Sequence, residues 1–129
     1  MKFKLFASAT ATAFAANTYN IPGYDGKITM DYDAATQEAV MTADMPDNTW
    51  LGFTLGAYTM HDTDVLLFSA SGATSKALDY YSTDDVMPTK DTQQDYKTNV
   101  LSSAGGRVKI EARRKLKTTD AKDFEFPVD

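Results

Sequence analysis

An all-β fold, an antiparallel sandwich, is the class this chain predicts, and three observations predict it. Apolar and polar residues alternate along short runs, as in Ile28, Met30 and Tyr32, or in Val108, Ile110 and Ala112 between Lys109, Glu111 and Arg113. That period of two marks strands with one buried face, because successive side chains point to opposite sides. Turn formers separate the runs at short intervals: Pro22-Gly23, Pro46-Asp47-Asn48, Ser71-Gly72 and Gly105-Gly106. No helical apolar stripe exceeds two turns, and seven or eight short strands with regular turns indicate a sandwich.

Each element follows in order. Residues Asn17 to Gly26 read as a loop, since Asn20, Pro22, Gly23 and Gly26 all favour turns. The alternation at Ile28, Met30 and Tyr32 makes the first strand, and Ala34 to Gln37 connects it to a second over Glu38 to Met45. A third strand covers Thr49 to Gly56 and holds Trp50, Phe53 and Leu55. Gly52 and Gly56 there permit a bulge or a close backbone approach. After a loop over Ala57 to Thr63, Val65-Leu66-Leu67-Phe68 is continuously apolar, which suits a strand buried on both faces. Lys76 to Tyr81 is the next strand and Ser82 to Lys90 a surface loop with Pro88. Tyr96 to Leu101 and Arg107 to Lys115 form a hairpin about Gly105-Gly106.

Length and composition narrow the function. A chain of 129 residues suits one domain. Its net charge of −5 argues against a general nucleic-acid binder, which needs a basic surface to displace counterions from phosphate. With no Cys, disulfides, thiolate zinc sites and cysteine nucleophiles are excluded. One His, no Gly-x-Ser-x-Gly elbow and no phosphate-binding glycine loop make an enzyme a poor reading. The basic stripe Arg107, Lys109, Arg113, Arg114, Lys115 and Lys117 reads as the solvent face of one strand.

Residues 1–16 read as a secretory signal peptide. Met1-Lys2-Phe3-Lys4 is basic, Leu5 to Ala15 has no acidic residue, and Ala13-Phe14-Ala15 is small-x-small, so cleavage is expected after Ala15 or Ala16. A presequence and an edge strand are the alternatives. The apolar stretch is too short for a transmembrane helix, and no later run approaches the required length. The expectation is therefore a secreted or secretory-lumen protein with one domain over residues 17–129.

Trp50-Leu51-Gly52-Phe53-Thr54-Leu55-Gly56, Met60, Asp64-Val65-Leu66-Leu67-Phe68, Asp79-Tyr80-Tyr81 and Gln93-Gln94-Asp95-Tyr96 together resemble the core of a DOMON domain. Arg114-x-Leu116-x-Thr118-x-Asp120-x-x-Asp123 extends the resemblance, which covers about Ile28 to Phe126. It implies an immunoglobulin-like sandwich that binds a ligand, a haem or a metal ion, in a family whose members rarely perform the bond-making chemistry themselves. In relatives a further strand follows the acidic corner, so the expectation is an unusually short domain, a sequence that is incomplete, or a missing last strand supplied by a neighbour. An open sheet edge suits such homo-oligomeric strand addition.

Three sites follow from the resemblance. Asp64 and Asp95, with the carbonyls of Val65 and Tyr80, would hold Ca²⁺ or a similar hard cation, since oxygen-only ligation suits neither copper nor zinc. The competing reading has each Asp capping a turn or pairing with Arg107, Arg113 or Arg114. Met60 stands where haem b relatives place an axial ligand, but the late-strand His partner is missing. The single His, His61, adjoins Met60 and cannot clamp the opposite porphyrin face. Trp50, Tyr58 and Tyr81 would line a small-ligand pocket, against the simpler reading that strand aromatics are core. The leading function is a secreted non-catalytic module for a small ligand or protein partner. A haem b electron carrier and a structural subunit completed by strand addition are its rivals.

Overall fold

The computed structural model describes residues 3–7, 17–55, 63–83 and 89–119. They form two five-stranded sheets packed face to face. The first has the order β1-β5-β6-β7-β8, from Phe3–Ala7, Trp50–Leu55, Thr63–Ser69, Lys76–Ser82 and Thr89–Lys90. The second has the order β2-β3-β4-β10-β9, from Asn17–Asn20, Lys27–Asp33, Glu38–Pro46, Arg107–Lys115 and Lys97–Ala104. Every pairing is antiparallel except β1 with β5.

The expected sandwich is present, and the period-two pattern explains its core. Leu51, Phe53 and Leu55 of β5 and Leu66 and Phe68 of β6 face Ile28 and Met30 of β3, Met41, Ala43 and Met45 of β4, and Val108 and Ile110 of β10. All of these are buried. Burying such side chains stabilises by about 25 cal/mol for each Å² of apolar surface removed from water. Val65 and Leu67, on the other face of β6, are buried as well, as expected of a continuously apolar strand.

Two strands lie where none was expected, and a third where an edge strand was only the alternative reading. Asn17–Asn20 forms β2 rather than loop, because its pairing with β3 and the packing of Tyr19 on Phe53 (ring centroids 5.8 Å apart) outweigh the turn preference of its asparagines. Phe3–Ala7 forms β1, and the two-residue β8 lies at the end of the expected surface loop. The Gly105-Gly106 turn is confirmed, with φ of 63° and 76°, the left-handed values that glycine adopts without strain. One register shift between Lys109 and Ile110 lets β9 run to Ala104, beyond its expected end at Leu101.

Candidate functional site

The core stripes of β6 and β10 each continue one step beyond the apolar residues. On β6 the inward series Phe68, Leu66 ends at Asp64; on β10 the series Val108, Ile110, Ala112 ends at Arg114. The two sheets thus place a carboxylate and a guanidinium at one end of the core. Arg114 Nη1 donates to Asp64 Oδ2 at 3.0 Å, with side chains 0% and 2% exposed. The guanidinium also lies 5.4 Å from the centre of the Tyr96 ring, a cation–π distance, and Arg114 Nε donates to the Lys115 carbonyl at 3.3 Å. The solvent-face reading is therefore corrected for Arg114. Arg107, Lys109, Arg113 and Lys115 occupy the outer face, but Arg114 has the parity of the core.

Cross-strand pairing brings more groups to this end. Tyr81 stands opposite Asp64, and Asp79 stands opposite Leu66, so both share the inward face. Asp79 is fully buried. Gln94 holds the Asp79 backbone as a neighbouring strand would. The Asp79 N–H donates to Gln94 Oε1 at 2.8 Å, and Gln94 Nε2 donates to the carbonyls of Asp79 (2.9 Å) and Asp91 (2.7 Å). Thr98 repeats the device two residues along. Its Oγ1 accepts from the Ala77 N–H at 3.1 Å and donates to the Ala77 carbonyl at 3.2 Å. Gln94, ahead of β9, and Thr98, on β9, thereby tie β7 of one sheet to the β9 end of the other. Asp79 and Gln94 were absent from the expected site, and Arg114 entered it only as one of three possible partners of the aspartates; extending the alternation of β10 by one step singles it out.

The expected cation ligands are arranged differently. Asp64 is held by Arg114, the pairing that competed with the metal reading. Asp95 Oδ1 accepts from Gln93 Nε2 at 2.9 Å, and that amide also donates to Thr119 Oγ1 at 2.9 Å. Val65 and Tyr80 are register partners, each with strands on both sides. Their carbonyls consequently lie in the plane of the sheet, directed toward neighbouring strands. Among the described residues, no group of three acidic or His side chains gathers to hold a metal ion. The Arg114 guanidinium is the charge partner of Asp64 in this structure.

Trp50 and Tyr81 are not brought together. Trp50 pairs with Ser69 and Tyr81 with Asp64, five residues apart along β6, or roughly 17 Å at strand rise. They also have opposite parity, so they face opposite sides of the sheet. Tyr58, Met60 and His61 lie outside the described residues, as do Asp120 and Asp123 of the expected acidic corner. The described methionines Met30, Met41 and Met45 are buried in the core, and the described residues include no His. They do not supply an axial pair for haem.

A cleft of about 430 Å³ opens on the outer face of β3, β4 and β10, lined by Thr29, Asp31, Asp33, Val40, Glu111 and Arg113. Its charges are paired internally: Arg113 contacts Asp33 at 2.8 Å and Glu111 at 2.9 Å. Hydrogen bonding from Arg113 holds the Asp33 carboxyl below the ordinary range. Burial pushes Glu38 upward, but the Thr36 hydroxyl and Lys97 outweigh it and leave its pKa lowered. Burial raises the Tyr24 phenol, against a 2.7 Å hydrogen bond with Thr49.

A family model described as the DOMON domain matches residues 24–129. The chain belongs to the DOMON family. Two solved structures share the fold seen here. One is the cytochrome domain of Myriococcum thermophilum cellobiose dehydrogenase, at 16% identity and TM-score 0.59, covering 78% of this chain and 55% of that one. The other is the cytochrome b domain of Coprinopsis cinerea pyranose dehydrogenase, at 18% identity and TM-score 0.60, covering 84% of this chain and 59% of that one. This DOMON chain thus spans somewhat over half the length of each. No match was found among curated protein sequences. No helix among the described residues is long and apolar enough to cross a membrane.

Proposed function

We propose that this DOMON domain is a secreted, non-catalytic binding module. In this reading Arg114 takes the structural role first expected of a hard cation. The observation that carries it is the Arg114–Asp64 pair, buried on both sides, with the guanidinium 5.4 Å from the centre of the Tyr96 ring. A charge pair withdrawn from solvent serves to order an end of the sandwich, because its groups are committed to each other. DOMON domains are generally binding or electron-transfer modules, which favours a ligand-holding role. Secretion rests on the leader features of residues 1–16, and the mass of the secreted chain tests it.

A haem b electron carrier is the second reading, favoured by the two cytochrome domains that share the fold. Met60 would be one ligand, and haem would supply one-electron transfer. A visible spectrum of natively purified protein, before and after dithionite, separates the readings. The binding module predicts a spectrum without a Soret band; a Soret band with reduced α and β bands refutes it in favour of the cytochrome.

A further inference from the structure

The far end of β10 and the β3–β4 loop border a recess of about 440 Å³, lined by Tyr32, Gln37, Lys115, Leu116 and Lys117. It shares only Tyr32 with the outer-face cleft. Tyr32 stands opposite Ala39, and Ala39 opposite Arg114, so the recess adjoins the row that closes the core. Leu116 packs partly buried against that core. Charge sets the recess apart. The chain has 18 acidic and 13 basic side chains, yet the lining residues include two lysines and no carboxylate. Lys115 Nζ donates to the Thr36 carbonyl at 2.8 Å. That acceptor is neutral, so the bond fixes the ammonium without cancelling its charge. Backbone strain is a second sign. The Asp33 carboxylate accepts from the N–H groups of Ala35 and Thr36, and Gln37 then takes a φ of 55°. Glycine adopts that left-handed value freely, whereas here the strain falls on a residue that lines the recess.

We propose that this recess binds a small aromatic carboxylate. The inference rests on the binding-module reading and names its ligand class. Lys115 and Lys117 supply positive charge for the carboxylate, and the Gln37 side chain supplies an amide donor beside them. Tyr32 offers a ring to the aromatic body of the ligand, and Leu116 an apolar surface. A bare inorganic anion fits less well. Phosphate gains nothing from Tyr32 and Leu116, and it is better held by the forked donors of Arg, which do not line this recess. The volume falls within the range of roughly 300–1,000 Å³ common to small-molecule sites. The outer-face cleft, with Asp31, Asp33 and Glu111 around one arginine, has the opposite charge balance and disfavours such a ligand.

Benzoate is the probe, titrated into the isotope-labelled full chain and followed by amide NMR shifts, with neutral benzamide and inorganic phosphate as comparisons. The expected result is saturable shifts at Tyr32, Gln37, Lys115, Leu116 and Lys117 with benzoate and none with benzamide. Lys115→Gln and Lys117→Gln should each weaken binding about tenfold, the loss of one charge-assisted hydrogen bond. Gln37→Gly should weaken it about fivefold without lowering the melting midpoint, because glycine relieves the left-handed φ. Shifts absent from these residues overturn the proposal, as does binding that any of the three variants leaves at the wild-type strength. Phosphate that displaces benzoate at equal concentration overturns it too, since the recess is then an unselective basic patch. Each of these failures leaves the binding-module reading standing; a Soret band in the visible spectrum overturns that reading on its own.

Discussion

Replacing Arg114 with Met is the perturbation whose size the structure determines best. Met keeps much of the apolar stem and removes the guanidinium, leaving the Asp64 carboxylate, 2% exposed, without its 3.0 Å partner. Breaking a buried pair from one side costs about 3–5 kcal/mol, because the remaining charge keeps its desolvation penalty. Unfolding entropy near about 2.1 cal/mol/K for each residue gives roughly 0.27 kcal/mol/K for a chain of 129 residues. Arg114→Met should therefore lower the melting midpoint by roughly 11–18 °C. Combining it with Asp64→Leu removes both charges, and the double variant should melt above Arg114→Met alone. Calorimetry and denaturant titration of the wild type, both single variants and the double complete the cycle. A single-variant loss below about 1 kcal/mol, or a double variant whose loss is the plain sum of the singles, would refute the buried pair as an energetic unit.

Other outcomes follow from neighbouring contacts. Gln94→Leu strips the Asp79 backbone of its side-chain amide and should cost about 1–3 kcal/mol by urea titration; no change would mean the backbone groups find other partners. Gly105→Ala, at φ 63°, should destabilise by about 1 kcal/mol in the same assay, and a stabilised variant would contradict the left-handed turn. Glu38 and Asp33 both have lowered folded pKa values. Their contribution is present above the unfolded carboxylate range and is lost as pH falls through the folded values, so stability should decline below about pH 4. A midpoint flat from neutral pH through that range would contradict these pairings.

Much of the fold was legible because it depends on local alternation. The runs at Ile28 to Tyr32 and Val108 to Ala112, and the turn at Gly105-Gly106, carry their strand and hairpin signals in a few adjacent residues. β2 was not legible, since Asn17 and Asn20 favour turns and only pairing with β3 makes the segment a strand. The site was legible in part. Asp64 stood out through its motif, but its partner is a residue fifty positions away on the facing sheet. Arg114 looked like part of a basic stripe because consecutive residues, Arg113 and Arg114, share a charge while facing opposite sides. Parity separates them: an arginine at a core position requires a buried partner. Gln94 was beyond reach, since a side chain that mimics a strand leaves no periodic trace.

Thermal melting in calcium and in chelator tests most directly the claim that Arg114, not a bound ion, neutralises Asp64. Wild-type protein should melt at the same temperature in both. A calcium-dependent rise of several degrees that Asp64→Asn abolishes would contradict the account and return Asp64 to a metal site.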